Sequence, residues 1–137
     1  YMPDFKFWDP DVAQRFCKAP DYPQAAREAV REMYRQVGDL QINAQGIAER
    51  GILIRHLVLP EGLAGTRGVM HFLKTEISPH TYVNIMAQYR PCGRANQYPD
   101  ISRSLRSEEY KEAVDIAREE GISRLDNRPR TFMIDWF

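Results

Sequence analysis

Cysteine is scarce in this 137-residue sequence, and its two examples, Cys17 and Cys92, stand far apart with no C-x-x-C spacing. Neither thiol can build a metal site with its sequence neighbours. A disulfide framework is not expected, and the reducing cytoplasm is the expected compartment. Net charge is absent too: 19 Lys and Arg balance 19 Asp and Glu. That removes the electrostatic case for a nucleic-acid or acidic-membrane partner. No apolar run approaches the ~20 residues of a membrane span. The opening Tyr1-Met2-Pro3-Asp4 is mixed in character and does not read as a signal peptide.

What is present fits one domain with a real core. The first residue is Tyr1 rather than Met, and a strand-like segment starts almost at once. This predicts a piece of a longer polypeptide. Residues 1–8 are aromatic-rich and end in Asp9-Pro10, the pattern of a strand end with its exit turn. A short helix is expected from Asp9 through Cys17. A longer one follows, with Asp21 as N-cap in a D-x-x-Q capping-box pattern with Gln24. Tyr22, Ala25, Ala26, Ala29, Val30, Met33, Tyr34 and Val37 form its apolar stripe, and Gly38 stops it.

Residues 40–48 read as a small hairpin. Ile52 to Leu59 is nearly unbroken apolar sequence, which predicts a strand buried on both faces of a parallel sheet. Thr66 is expected to cap a helix carrying Val69, Met70, Leu73 and Ile77. A strand over 81–86, a long polar loop over 87–106 and a helix capped by Ser107 complete the pattern. Strand and helix alternate three times, so the expected class is α/β, a parallel sheet with helices outside it. Three strands cannot close a barrel. The choice is between a small complete α/β domain and part of a larger barrel.

In βα barrels, functional side chains project from C-terminal strand ends. Three places meet that rule. Asp4 and Lys6 share one strand face, either as a polar site or as an ordinary surface ion pair worth ~0–1 kcal/mol. Arg55 interrupts the apolar strand and must meet a carboxylate or an anionic ligand. His56 points to the opposite face and is expected to be a packing histidine. The third place, Asn84 to Gly93, is a strand exit rich in hydrogen-bonding side chains. Cys92 has no base nearby in sequence and is not expected to be a catalytic thiol.

The ordered set Met2-Pro3-Asp4-Phe5-Lys6, Ile54-Arg55-His56-Leu57-Val58-Leu59-Pro60-Glu61-Gly62 and Thr81-Tyr82-Val83-Asn84-Ile85-Met86-Ala87-Gln88-Tyr89 resembles the C-terminal half of radical S-adenosylmethionine (SAM) proteins. The similarity is to relatives of the pyruvate formate-lyase activating enzyme, in the subgroup with a Gln-Tyr-Arg-Pro-Cys-Gly stretch, here residues 88–93. The resemblance implies a partial (β/α)6 TIM-like barrel whose C-terminal portion is residues 1–125, with 126–137 as a tail. It implies SAM as cofactor and a 4Fe–4S cluster held by a C-x-x-x-C-x-x-C loop that lies outside this sequence. A 5′-deoxyadenosyl radical would abstract hydrogen from a protein or small-molecule substrate. An external reductant such as flavodoxin or ferredoxin is implied as well.

Carried over by motif, Asp4 and Lys6 match the family's D-x-K beside SAM. Met2 and Asp4 match a monovalent cation site, Met2 through its backbone carbonyl. Arg55 matches the arginine of an R-x-x-x-x-P strand near SAM. The pattern departs after the last strand, where the activating enzyme has a SAM-contacting histidine and this chain has Gln88-Tyr89-Arg90; either Gln88 or Tyr89 fills that place. The departure removes glycyl-radical activation as a given. With two cysteines, the chain alone is expected to bind no cluster. Two other readings compete. One is a lysine-dependent aldolase-type barrel with Lys6 as Schiff base and Asp4 as proton shuttle. The other is a partner-binding domain using the apolar tail Phe132-Met133-Ile134-Asp135-Trp136-Phe137.

Overall fold

The apolar run after Gly51 becomes the middle of a parallel sheet in the computed structural model, which describes residues 1–126. Strand β3 (Leu53–Leu57) pairs in parallel with β4 (Tyr82–Met86), Leu53 facing Tyr82 and Arg55 facing Asn84. On the far side of β4 lies β5 (Arg124–Leu125), also parallel. The N-terminal segment flanks β3 on its other side. There the Arg55 N–H donates to the Pro3 carbonyl at 2.9 Å, and the Phe5 N–H donates to the Arg55 carbonyl at 2.8 Å. The parallel order is therefore segment 1–5, β3, β4, β5.

Helices separate these strands, as the alternation requires. They are α1 (Pro10–Cys17), α2 (Tyr22–Val37), α3 (Thr66–Phe72) and α4 (Ser107–Glu119). A turn of π-helix, Leu73–Ile77, extends α3. A small antiparallel hairpin, β1 (Gln41–Ile42) with β2 (Ala48–Arg50), lies where the sequence places one. The α/β class with a parallel sheet and packed helices is what the residues form. Among the described residues the sheet is open and does not close into a barrel. Strand β5 is an addition to the expected set. Two residues are too few to carry a period-two signal.

Side chains of α2, α3 and α4 share one core with one face of the sheet. Val30, Val69, Met70, Phe72, Ala113 and Ala117 pack there with Phe5, Ile54, Val83 and Ile85. Right-handed crossovers between parallel strands bring successive helices to the same side. The expectation that β3 is buried on both faces is corrected accordingly. Ile54 and His56 are fully buried, whereas Leu53, Arg55 and Leu57 are only half-buried. Helices cover the first set; the second faces away from them.

Several local expectations are corrected as well. Asp9 caps α1, its Oδ1 accepting from the Asp11 and Val12 N–H groups at 2.7 and 3.1 Å. Asp21 makes no such bond. Pro23 removes one of the N–H groups a cap would serve, Asp21 has helical backbone angles, and the Gln24 side chain turns to Glu28 instead. Ala25 and Ala29 are exposed, so the α2 stripe is narrower than the spacing suggests. Gly65, at φ +70°, occupies the cap position of α3, and the Thr66 hydroxyl is used elsewhere. Ser107 is the first helical residue of α4; Arg106 precedes it, and its N–H donates to Glu109 Oε2 at 2.9 Å. The tail beyond residue 126, including Phe132 to Phe137, lies outside the described residues.

One packing detail fixes the entry to α1. A Cβ at Gly68 would lie 2.5–2.6 Å from the Trp8 indole, so the ring needs a bare backbone there. On another side of Trp8, the Arg27 guanidinium sits 4.8 Å from the ring centroid.

Candidate functional site

Alternation along the strands sorts the side chains onto two faces. On the face away from the helices, Asp4, Arg55 and Asn84 stand in register across three parallel segments. Asp4 is the hub. Its Oδ1 accepts from Arg55 Nε at 2.6 Å, and its Oδ2 lies 3.6 Å from Lys6 Nζ. The three side chains are partly open to solvent, at 26% for Asp4, 34% for Arg55 and 45% for Lys6. Two cations thus share one carboxylate. The surplus positive charge, with the Arg55 Nη groups clear of Asp4, suits an anionic group presented from above the sheet.

The same pair answers the cost of placing Arg55 in an apolar strand. A half-buried guanidinium with a carboxylate at 2.6 Å is a charge-assisted hydrogen bond. The structural and the ligand-binding roles of Arg55 are therefore compatible, since Asp4 engages only its Nε. Asn84, half-buried and beside Arg55, extends the polar row. It was legible only as the first residue of the strand exit, because its partner across the sheet is set by register.

Further along this face, Tyr82 donates from its hydroxyl to Asp126 Oδ1 at 3.3 Å, and the Arg124 guanidinium stacks 5.3 Å from the Tyr82 ring centroid. Arg124 also donates to the Leu40 and His80 carbonyls at 2.8 and 3.2 Å. These groups tie β5 to its neighbours, and sequence reading did not find them.

His56 lies on the covered face, as expected. It is fully buried, with Nδ1 2.8 Å from the Phe5 carbonyl and Nε2 3.0 Å from the Thr66 hydroxyl. A carbonyl can only accept, so Nδ1 carries the hydrogen and Nε2 accepts from Thr66. Burial lowers the pKa to about 4, against a smaller opposing effect of the Phe5 carbonyl. His56 is a neutral packing residue that joins two strands and a helix.

The strand exits form the rim above the polar face. Gln88 is exposed, whereas Tyr89 is half-buried and donates to the Ile101 carbonyl at 2.6 Å. Burial, with a smaller effect from Cys92, raises the Tyr89 pKa. Of Gln88 and Tyr89, the latter is thus occupied as a loop anchor, and Gln88 keeps its amide available to solvent. The rest of the 87–106 loop is fastened at several points. Arg15 pairs with Asp100 at 2.5 Å, and Phe16 meets Tyr98 edge-on with centroids 5.3 Å apart. Arg103 bonds both Glu61 and Glu109, at 2.5 and 2.7 Å. The Arg103 bonds, the largest of several causes, hold the Glu109 carboxyl at about 2.

Met2 is 60% exposed, and strand alternation directs its carbonyl to the free edge of the sheet rather than towards β3. Among the described residues, no group of three or more His, Cys, Asp or Glu is placed to hold a metal ion. Cys17 and Cys92 are both free and exposed. Hollows of about 550, 380 and 440 Å³ lie away from the polar row. The first is lined by Tyr1, Met2 and the hairpin residues Ala48 to Arg50, the second by Trp8, Gly65, Gly68 and Glu109, Glu112 and Ala113 of α4, and the third by Arg67 and charged residues of α4. No helix among the described residues is long and apolar enough to cross a membrane.

Over 118 residues the chain is 31% identical to an uncharacterized protein of Methanocaldococcus jannaschii. The match takes in 85% of this chain and 30% of that protein, so the chain spans about 30% of the length of the curated relative it matches. No family model matches the chain, and no solved structure does.

Proposed function

We propose that this chain is the C-terminal wall of a partial (β/α)6 barrel in a radical SAM enzyme related to the pyruvate formate-lyase activating enzyme, with Asp4, Lys6 and Arg55 facing SAM. The observation that carries the reading is the row Asp4–Arg55–Asn84 on the sheet face turned away from the helices. Parallel sheets are ordinarily covered on both faces. In a barrel the second face is the lumen, and a polar row at mid-strand, below the strand exits, looks towards the end where ligands sit.

SAM fits these residues by charge and by donor geometry. The Arg55 Nη groups and Lys6 Nζ offer donors to the carboxylate of its methionyl group, and Asp4 holds both cations in place. Asn84 and the exposed Gln88 add neutral donors and acceptors along the same wall. The Met2 carbonyl and Asp4 at the sheet edge are the oxygens a monovalent cation would use. Bound SAM supplies, on reductive cleavage, a 5′-deoxyadenosyl radical that takes hydrogen from the substrate. The protein's part is to orient the sulfonium, neutralise the carboxylate and keep water out.

The 4Fe–4S cluster does not fit the residues of this chain. Two thiols far apart in sequence cannot supply the three clustered thiolates that leave one iron open for SAM. The reading therefore assigns the cluster to another part of the polypeptide. An aldolase-type reading needs a desolvated lysine, whereas Lys6 is 45% exposed and paired with Asp4.

The test uses the whole polypeptide that contains residues 1–137. It is expected to carry a C-x-x-x-C-x-x-C about one half-barrel before Tyr1. Purified anaerobically and reduced with dithionite, it should convert SAM to 5′-deoxyadenosine and methionine. A polypeptide with neither the motif nor the products would overturn the reading.

A further inference from the structure

The residue that holds the D-x-K segment in shape lies outside the segment. Backbone groups of Pro3 and Phe5 bond to β3, so those of Asp4 and Lys6 point to the opposite, free edge of the sheet. A free edge leaves such groups to water or to another strand. Here one phenol serves both. The Lys6 N–H donates to the Tyr22 hydroxyl at 2.9 Å, and that hydroxyl donates to the Asp4 carbonyl at 3.1 Å. The Tyr22 ring is half-buried and stands edge-on to Phe7, with centroids 5.9 Å apart.

We infer that Tyr22 is a positioning residue for Lys6, an anion-binding cation, and for Asp4, the carboxylate that holds it, standing in for a neighbouring strand at the point where the chain leaves the sheet. Residue Tyr22 is the first of α2, and α2 packs into the core through Val30. The phenol therefore transmits a rigid helix position to two backbone groups whose side chains share the open face. Without it, the last turn of the strand between Asp4 and Lys6 has no bond on its free side from this residue, and the Lys6 ammonium loses its fixed origin. Burial raises the Tyr22 pKa, against a smaller lowering by the Lys6 N–H and with a further rise from the Asp4 charge, so the phenol remains a neutral donor. This inference rests on the SAM-wall reading for its ligand but not for its geometry.

Two measurements on Tyr22→Phe separate the two. In the 137-residue chain, the Lys6 amide should exchange its hydrogen at least about tenfold faster than in the parent, relative to the amides of Phe5 and Arg55. In the whole polypeptide, SAM should bind about tenfold more weakly by calorimetry, with the melting temperature shifted by only a few degrees. Phe7→Leu is the companion; it should lower the melting temperature while leaving Lys6 exchange unchanged relative to those two amides. Unchanged Lys6 exchange, unchanged SAM affinity or an unfolded Tyr22→Phe chain would each overturn the assignment. Failure of the unmutated polypeptide to bind SAM would instead overturn the proposed function, and the exchange result would still decide the positioning role.

Discussion

Asp4 and Arg55 face each other across adjacent parallel segments, and the carboxylate engages the guanidinium through Nε alone, at 2.6 Å. That arrangement separates the two jobs of an arginine. Nε secures the side chain, and the Nη end is left unengaged by Asp4. Arg55→Lys should lose both, because a lysine has one point of contact and no fork. On the proposed reading, SAM affinity of the whole polypeptide falls by about tenfold or more, while stability falls by only ~1 kcal/mol because the pair is partly exposed. Calorimetric titration and denaturant unfolding give the two numbers, and equal SAM affinity would argue against a ligand-facing Arg55.

His56 makes acid stability a direct readout of the covered face. Its pKa falls from 6.5 to about 4 in the folded chain. The unfolded chain therefore binds a proton, as pH drops through 6.5, that the folded chain refuses. The stabilisation is present above pH 6.5 and is lost progressively between 6.5 and 4, in all roughly 3 kcal/mol. The urea midpoint should fall across that window, and the His56→Gln variant should show a flatter profile there.

Gly68 and Trp8 offer a test in which the sign changes. Alanine at 68 would drive its Cβ into the indole, so Gly68→Ala should destabilise by ~1–3 kcal/mol. In a Trp8→Leu background the obstacle is reduced. The ordinary helix preference for alanine, up to ~1 kcal/mol, then acts in the opposite direction. Additive effects in the double-mutant cycle would refute the contact.

Glu109 is the knot of the loop ties, taking Arg103, the Arg106 N–H and the Glu61 N–H together. Glu109→Gln should leave the sheet intact but speed proteolysis between residues 88 and 106. Its lowered pKa sets the pH dependence: the stabilisation is present above pH 4.5 and fades as pH falls towards 2. Limited digestion at neutral pH, parent against variant, decides it.

The 137-residue chain alone should take up no stoichiometric iron–sulfur cluster on anaerobic reconstitution. Absorbance and iron analysis test this, and a full cluster would remove the premise that another segment carries the ligands.

Strand and helix order was legible because long elements repeat their period. Ile52–Leu59 and the α2 stripe state their type many times over. Caps were not. Asp21 has the right side chain, but Pro23 takes away a donor it would serve, and Thr66 spends its hydroxyl on His56. The polar wall was half legible. Asp4 and Lys6 share a face by local geometry, and Arg55 stands out in an apolar run. That Asn84 joins them depends on strand register, and that Tyr22 supports them depends on where a helix lands; both are long-range facts. A stripe of apolar spacing also disguises a tyrosine whose hydroxyl is the functional end.

The bond from Tyr89 to the Ile101 carbonyl spans 12 positions and pins both ends of the loop segment between them. Closing a loop already held at its ends costs little more as it grows, about 0.6 kcal/mol for each doubling of length. The 90–97 stretch can therefore gain or lose residues without disturbing the wall below it. A lineage that kept Asp4, Arg55 and the two anchors could vary that stretch in length and composition while the polar row stayed in place.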